Sequence, residues 1–442
     1  MTSSHPNPAP CHWFSRLAGL LDPRSAPRLA RLLLGAVLAR GRRTVTSWIR
    51  AAGLSREFRP CYTAVAAAGK RADLIAARLA CDAVRPLAAA GRLTLALDDT
   101  PTQRYGPLVE GAGVHHNPAP GPGGAPFVYG HAWVVLAVLA AHPLWGVVAL
   151  PLLARLYVRE KDLGGIAPRH RPPFKTKLEL ACELVRWTVV WLSHWGKPLW
   201  AVADGAYAKA AFLKPMRALG VTVVSRLRRD AALRSVPAPR RPGRRGRPRV
   251  YGEHKVELAK RAGQRRGWRA GTFNLYGKPT AKRYKTFLAT WRPAGGLIRV
   301  VLVDEPAGWR AYFCTDPGAT AADVLGCVAD RFSLETAFRD CKEVVGAGQQ
   351  QVRFVWASVG SFHLCLWAFT LTEAWAWGRG QDRLVDRSAS PWDDPARRPS
   401  HADKRRAWRR ELLGEEIRAA LRPGQSESEI MAAAERLLGL AA

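Results

Sequence analysis

The stretch Leu93-Thr-Leu-Ala-Leu-Asp-Asp-Thr100 is a short apolar run that ends in two adjacent acids. Such a run predicts a buried β-strand. A second run of the same kind, Pro198-Leu-Trp-Ala-Val-Ala-Asp-Gly-Ala-Tyr207, ends in Asp204. An acid just past the end of a buried strand is held by a rigid sheet, where a preorganised metal ligand is favoured. Taken singly, each Asp is more simply interpreted as a helix N-cap or a turn residue.

A third acid lies in Asp330-Arg-Phe-Ser-Leu-Glu-Thr-Ala-Phe-Arg-Asp-Cys-Lys342. Read as a helix, this stretch places Arg331, Glu335, Phe338 and Lys342 on one face. A carboxylate between two bases suits a site that binds a cation beside a phosphate backbone. The alternative is an ordinary amphipathic helix with an i,i+4 ion pair from Arg331 to Glu335. Two strand acids followed by a helix Glu form a more specific set than any one member.

The three stretches resemble the catalytic blocks of DDE transposases from bacterial insertion sequences. The resemblance rests on Asp98-Asp-Thr, Asp204-Gly-Ala-Tyr and Arg331-x3-Glu335-x6-Lys342. It is to the cut-and-paste group whose third block carries a Tyr-x2-Arg-x3-Glu-x6-Lys signature. The signature tyrosine would fall at position 328, which is Val328 here. This departure affects the expected contact with the transposon end and leaves the three acids in place.

The resemblance implies an RNase H-like catalytic domain with Asp98, Asp204 and Glu335 as catalytic metal ligands. Asp98 and Asp204 would share one ion and Glu335 would hold a second, and Asp99 remains an alternative to Asp98. Carboxylates without histidine or cysteine suit Mg²⁺, with Mn²⁺ as a substitute. Two such ions neutralise the attacking and leaving oxygens of a phosphodiester displacement. Arg331 and Lys342 would hold phosphates of the cleaved strand.

The implied activity is cut-and-paste transposition, with double-stranded DNA as the partner. The protein would bind the terminal inverted repeats of its element, cleave there, and join the freed 3′-OH to target DNA, acting as a homodimer in the DNA complex. Two alternatives stay open. One is an RNase H-like nuclease without strand transfer, and the other is a catalytically inactive, transposase-derived DNA-binding protein.

Composition agrees with a folded nucleic-acid-binding protein. A hydrophobic content of 48% and 17 tryptophans indicate a sizeable core, and 442 residues have room for about three domains. The 68 Lys and Arg exceed the 35 Asp and Glu, which gives a net charge of +33 and favours a polyanionic partner. A genome-wide preference for Arg, Ala and Gly codons is the alternative explanation.

The cysteines and the long apolar stretches indicate where the protein resides. Eight scattered cysteines without a Cys-x2-Cys pair argue against structural zinc and disulfides, and fit a cytoplasmic, nucleoid-associated protein. The apolar stretches Ala132 to Val158 and Val355 to Trp377 are interrupted by proline or polar residues. They therefore predict buried strands or a core helix, and no membrane partner.

The predicted fold class is α/β (α+β): an RNase H-like mixed sheet with helices on both faces. Residues 1–90 would form a helical N-terminal DNA-binding domain. Its Leu29 to Ala39 and Thr44 to Ala52 suit a helix-turn-helix, or else a small bundle that only docks on its neighbour. Residues 91–377 would form the catalytic domain in the order β-β-β-α-β-α, with a β-rich insertion at 227–316. Residues 378–442 would form a helical tail after a polar loop from Asp386 to Asp403.

The insertion begins with a basic Pro/Gly-rich linker, Ala238 to Arg249. Its Gly246-Arg-Pro-Arg249 core resembles an AT-hook that would place Arg247 and Arg249 in a DNA minor groove. A flexible phosphate-binding loop fits equally well. In the resembling family the insertion also carries a tryptophan that stacks on a flipped base. The candidates are Trp268, Trp291 and Trp309, although tryptophans at such positions are more often core residues.

Overall fold

The structure is a computed structural model that describes residues 10–89, 91–117, 124–239, 246–388, 390–421 and 426–441. Its N-terminal part is helical, as predicted. The helices are α1 (Pro10–Ala18), α2 (Ala26–Leu38), α3 (Val45–Ala51), α4 (Phe58–Lys70) and α5 (Ala72–Leu79). Thr44 caps α3 by accepting a hydrogen bond from the backbone N–H of Ser47 at 3.1 Å. The predicted N-cap after the α2–α3 link is therefore confirmed.

The middle of the chain forms one large mixed sheet with helices. Its first half contains β1 (Leu93–Gln103), β2 (Gly113–His116), β3 (Phe127–His142), β4 (Gly146–Tyr157), α6 (Lys177–Leu192), β5 (Leu199–Ala203), α7 (Ala210–Ala218) and β6 (Thr222–Leu227). Strand β1 pairs antiparallel with β3 and parallel with β5, which in turn pairs parallel with β6. This mixed α/β architecture confirms the predicted RNase H-like fold class. The short strand β2 is an addition to the predicted order.

The segment predicted as a β-rich insertion extends the same sheet. It contains β7 (Leu233–Arg234), β8 (Lys255–Val256), α8 (Leu258–Gly263), β9 (Arg269–Leu275), β10 (Lys278–Trp291), β11 (Gly296–Asp304) and β12 (Arg310–Cys314). Strand β12 pairs antiparallel with β6, and β11 and β10 follow outward. Within the described residues the sheet order is β2-β3-β1-β5-β6-β12-β11-β10-β7-β8, with β4 on β3 and β9 on β10.

The C-terminal part is helical again. It contains α9 (Ala321–Asp340), a π-helical turn (Cys341–Val345), α10 (Val355–Ala376), α11 (Gln381–Leu384), α12 (His401–Ala420) and α13 (Glu427–Ala441). Helix α12 begins at His401, so the predicted polar loop ends at Ser400 and not at Asp403. The reason is a capping box in which the Ser400 side chain and the Asp403 carboxylate each accept the other's backbone N–H.

Helix α10 is the central helix of the core. By length and composition it is the one helix among the described residues that could cross a membrane, and 89% of its apolar window is buried inside the protein. It packs against α4 at two glycines. A Cβ on Gly360 would lie 1.8 Å from the carbonyl oxygen of Val65, and a Cβ on Gly69 would lie 2.1 Å from that of Trp356. The N-terminal helices are therefore docked on the core through backbone-close contact.

A buried ionic network fixes α12 to α10. Glu373 of α10 accepts a hydrogen bond from the Lys404 ammonium at 2.5 Å, and its other oxygen lies 2.7 Å from His401 Nδ1. Burial alone would raise the pKa of Glu373, but Lys404 and His401 overcome this effect and lower the pKa to about 2. The three side chains are almost fully excluded from water. The network thus holds α12 in a defined register on the core.

We predict that Glu373→Gln lowers the free energy of unfolding by about 3–5 kcal/mol, because it leaves the Lys404 charge buried without its partner. The double variant Glu373→Gln/Lys404→Met recovers a large part of this loss, since no unpaired charge remains. Urea unfolding of the two variants and the wild type measures both effects. The contribution of Glu373 is present above its unfolded pKa of 4.5 and disappears as pH falls through about 2. Equal destabilisation by the single and double variants would contradict this account.

Candidate active site

Asp98 and Asp204 lie side by side on neighbouring strands. Leu97 of β1 is in register with Ala203 of β5, so the next residue on each chain is one of the two acids. Neighbouring strands run about 4.8 Å apart, which brings the two residues to the same place in the sheet. Asp204 lies just past the end of β5, as predicted, where its carboxylate also accepts the Ala206 N–H at 3.4 Å.

Asp98 does not follow the end of its strand, and that expectation was wrong. Strand β1 continues to Gln103, because its other edge pairs with β3 as far as the pair Gln103–Gly130. What ends at Leu97 is the parallel pairing with β5. Asp98 is therefore held from one side by the sheet and open on the side of Asp204.

The environment of Asp98 disfavours its charge. The pKa of Asp98 is raised to about 6, chiefly by burial and to a lesser extent by the charges of Asp99 and Asp204, although the Arg331 guanidinium opposes the shift. One guanidinium nitrogen of Arg331 lies 2.5 Å from Asp98 Oδ2. A carboxylate that is buried among other carboxylates needs a cation, and Arg331 is the cation present in this structure.

The adjacent acids Asp98 and Asp99 have different partners. Asp99 binds the Lys177 ammonium of α6 at 2.5 Å and accepts a hydrogen bond from the Tyr207 hydroxyl at 3.4 Å. Asp98 binds Arg331 of α9 instead. Successive side chains of a strand point to opposite faces of the sheet, so the two acids face different helices. Asp98, and not Asp99, shares its surroundings with the helix that carries Glu335.

Helix α9 supplies the third acid and the cation. Its N-terminus is fixed by a capping box between Thr320 and Asp323, which explains why the helix starts earlier than the quoted stretch. The predicted i,i+4 ion pair is present, with Arg331 2.8 Å from Glu335 Oε1. The same guanidinium also binds Asp98. Arg331 therefore bridges the strand acid and the helix acid, which sequence spacing alone did not indicate.

The donor set suits a hard divalent cation in its chemistry. Asp98, Asp204 and Glu335 offer only carboxylate oxygens, which Mg²⁺ and similar ions prefer. Among the described residues, no three His, Cys, Asp or Glu side chains converge closely enough to form a ready metal cluster. Arg331 stands between two of the acids instead. A cation that binds both Asp98 and Glu335 would have to take over the positions of this guanidinium.

Comparison with known protein families identifies the family of this chain. The family described as DDE superfamily endonuclease matches residues 16–285, which is more than half of the chain. The chain belongs to the DDE superfamily of endonucleases. Membership supports a transposase or nuclease that acts on DNA with divalent metal ions. A comparison with curated proteins gave no match.

The family match includes two of the three acids. Asp98 and Asp204 of this DDE endonuclease lie within residues 16–285, whereas Glu335 lies beyond them. The association of Glu335 with the other two rests on the Arg331 bridge. The finer assignment to the Tyr-Arg-Glu-Lys group is not confirmed by the match. Val328, at the tyrosine position, is a partly buried side chain packed against the core.

The predicted DNA-binding residues lie in three places. Arg331 is in the site itself, engaged by two carboxylates. Lys342 lies in the π-helical turn after α9, where burial lowers the pKa of its ammonium. Arg247 and Arg249 are exposed, and Arg249 pairs with Glu253. Residues 240–245 of the predicted linker lie outside the described residues.

The three candidate tryptophans differ in exposure. Trp291 is buried against Phe313, with ring centroids 5.1 Å apart, so it is a core residue. Trp268 and Trp309 are partly buried. The Arg283 guanidinium lies over the Trp268 ring, and the Arg229 guanidinium lies over the Trp309 ring.

An aromatic pair that the sequence did not indicate joins the insertion to α9. Tyr276 at the tip of the β9–β10 hairpin meets Phe332 at 5.8 Å, and 66% and 52% of these side chains are exposed. Tyr276 has a left-handed backbone conformation, with φ of 56°, which no signal in the sequence indicated.

We predict that Asp98→Asn is more stable than the wild type at pH 8 in metal-free buffer. The folded pKa of about 6 exceeds the unfolded value of 3.8, so the cost of ionising Asp98 develops between these two pH values and is complete above about pH 6, at most about 3 kcal/mol. Below about pH 3 the carboxyl is protonated in both states and the difference vanishes. Urea unfolding between about pH 3 and pH 8 measures it. Asp304→Asn, at an exposed ion pair, serves as the control and should change little at either pH. An Asp98→Asn variant less stable than the wild type at pH 8 would contradict the prediction.

Proposed function

We propose that this DDE endonuclease is a cut-and-paste transposase. It binds the terminal inverted repeats of its own insertion sequence, cleaves there in a metal-dependent reaction, and transfers the freed strand to target DNA. The observation that carries the proposal is the Arg331 bridge, which joins the strand acid Asp98 to the helix acid Glu335 beside Asp204. Family membership supports the nuclease part of the proposal.

The three acids would hold the catalytic metal. Asp98 and Asp204 would share one Mg²⁺, and Glu335 would contribute to a second, with Mn²⁺ able to replace either. Such ions neutralise the charge that develops on the attacking and leaving oxygens of an in-line phosphoryl displacement. The sheet supplies the rigidity for two ligands, because both follow the paired residues Leu97 and Ala203.

Arg331 has two roles in this proposal. In the metal-free protein its guanidinium offsets the repulsion among the acids, which keeps Asp98 charged at neutral pH despite burial. If Asp98 held a metal ion, the guanidinium of Arg331 would be free to face the substrate. Its planar group of N–H donors suits a phosphate of the cleaved strand. Lys342 lies two helical turns further along, about 10 Å from Glu335, and would hold a second phosphate.

The transferred strand undergoes two phosphoryl displacements, and excision of the element also requires that the other strand be cut. In the first, water attacks a phosphorus at the element boundary, and the bond to the 3′ oxygen breaks. The 3′ oxygen takes up a proton, which leaves a 3′-OH on the element strand and a 5′-phosphate on the flanking DNA. In the second, this 3′-OH attacks a target phosphodiester, loses its proton to solvent, and displaces the target 3′ oxygen.

The N-terminal helices would recognise the element ends. Helices α2 and α3 form the helix-turn-helix unit of the proposal, and Arg50 and Arg56 are exposed and can reach phosphates. The unit is fixed on the catalytic part through α4 and α10. Two protomers, one at each end of the element, would form the active complex.

We predict that Asp204→Asn and Glu335→Gln each reduce cleavage at least about a hundredfold, since even partners of metal ligands contribute 10–100-fold. The substrate is labelled duplex DNA that carries the inverted repeats flanking the gene, with Mg²⁺ present. Release of a 3′-OH at the element boundary is measured on a sequencing gel. Glu343→Gln, an exposed acid on the turn after α9, is the matched control and should cleave like the wild type.

Two results would overturn the transposase proposal, and a third would overturn the assigned metal site. Metal-dependent cutting that ignores the repeats, without joining to target DNA, would identify a nuclease. Tight binding to the repeats with no cutting under any divalent metal would identify a DNA-binding protein without catalysis. Full cleavage by Asp204→Asn and Glu335→Gln would show that the metal site lies elsewhere.

A further inference from the structure

A basic groove lies at the far end of β1, away from the acids. It has a volume of about 230 Å³, and its lining includes the side chains of Arg42, Arg104, Tyr105, Gln349, Gln351 and Arg353. These residues come from the α2–α3 link, from the loop after β1, and from the segment between α9 and α10. The groove is therefore built jointly by the N-terminal helices and the part of the chain that carries the acids.

The walls of the groove are held by specific hydrogen bonds. The Gln349 side chain accepts the backbone N–H of Arg43 at 2.7 Å. The buried Gln350 side chain donates to the carbonyl oxygens of Arg43 at 2.9 Å and Gly346 at 2.8 Å. Arg104, which is 5% exposed, donates to His131 Nδ1 at 3.1 Å and to the Gln350 carbonyl oxygen. The groove thus has a rigid floor that does not depend on flexible surface side chains.

The charge of the groove is not neutralised from within the protein. Its lining has three arginines and no acid. Within the described residues, Arg42, Arg104 and Arg353 form no ion pair with a carboxylate, in contrast to exposed arginines such as Arg228, which pairs with Asp230 at 2.8 Å. Tyr105 adds a side chain that is 67% exposed at the rim. Guanidinium groups without a carboxylate partner, beside a polar floor, are typical of a phosphate-binding surface.

We propose that this groove binds the phosphate backbone of duplex DNA next to the cleaved bond. The inference rests on the proposed function and adds a contact surface to it. Asp98 lies within β1, and Arg104 is the residue that follows this strand. The six-residue separation corresponds to about 20 Å of extended chain. With about 3.4 Å per nucleotide along one strand, the groove engages phosphates about six nucleotides from the cleaved bond.

The groove also places the helix-turn-helix unit relative to the acids. Arg42 and Arg43 belong to the α2–α3 link, and Gln349 and Gln350 follow the turn that ends α9. DNA bound in the groove would touch both units at once. The contact carries no sequence information, because arginine contacts to phosphates do not distinguish bases. It sets the register between the bound repeat and the cleaved bond.

The first test is the salt dependence of DNA affinity. Fluorescence anisotropy with a labelled 40-bp duplex of mixed sequence gives Kd between 50 and 300 mM KCl for the full-length protein. For Arg42→Ala/Arg353→Ala we expect a slope of log Kd against log salt that is lower by about two, because two phosphate contacts are lost. Arg353→Lys should keep the slope of the wild type. Arg228→Ala is the matched control and should also keep it, since Arg228 is already paired.

The second test locates the contact. Hydroxyl-radical footprinting on DNA with the flanking inverted repeats should show protection about six nucleotides from the cleaved bond. Arg42→Ala/Arg353→Ala should lose this protected region and keep the others. Unchanged slope, affinity and footprint in the double variant would overturn the groove as a DNA surface, with cleavage at the repeats left intact. Binding of anionic lipid vesicles that depends on these arginines, with unchanged DNA binding, would also overturn it. A wild type that binds no duplex at all would overturn both the groove and the proposed function.

Discussion

The ion pair between Arg331 and Asp98 connects the two halves of the site. Asp98 is held inside a sheet beside Asp99 and Asp204, where burial and like charges raise its pKa, which is about 6 even with Arg331 in place. A guanidinium from α9 offsets this cost and at the same time binds Glu335. The helix is thereby located over the point where the parallel pairing of β1 and β5 ends. Such a cost in stability is expected at a functional site.

The sheet and core helix make this arrangement rigid. Because β12 pairs with both β6 and β11, the segment inserted between Asp204 and Glu335 continues the sheet, so α9 follows a strand that is fixed on both sides. Helix α10 then returns through the core, where α4 contacts it at backbone distance. The acids, the insertion and the N-terminal helices are therefore packed together. DNA that contacts any one of them would lie at a defined position relative to the acids.

Much of the frame could be predicted from the sequence, because apolar runs and caps are local signals. The strands before Asp98 and Asp204, the Thr44 cap and the buried nature of Val355 to Trp377 follow from a few neighbouring residues each. The Arg331–Asp98 pair could not, since its partners are 233 residues apart. Nor could the full length of β1, which depends on pairing with β3. The choice between Asp98 and Asp99 needed the direction of each side chain relative to α6 and α9.

The central claim is that Asp98, Asp204 and Glu335 form one metal-binding centre, in which Arg331 bridges Asp98 and Glu335 in the absence of metal. A crystal structure of the protein soaked with Mn²⁺, with anomalous scattering to locate the ion, tests it most directly. The account predicts Mn²⁺ bound to carboxylate oxygens of both Asp98 and Asp204, with Arg331 displaced from Asp98, and loss of this peak in Asp204→Asn. Mn²⁺ bound elsewhere while Arg331 stays on Asp98 would contradict it.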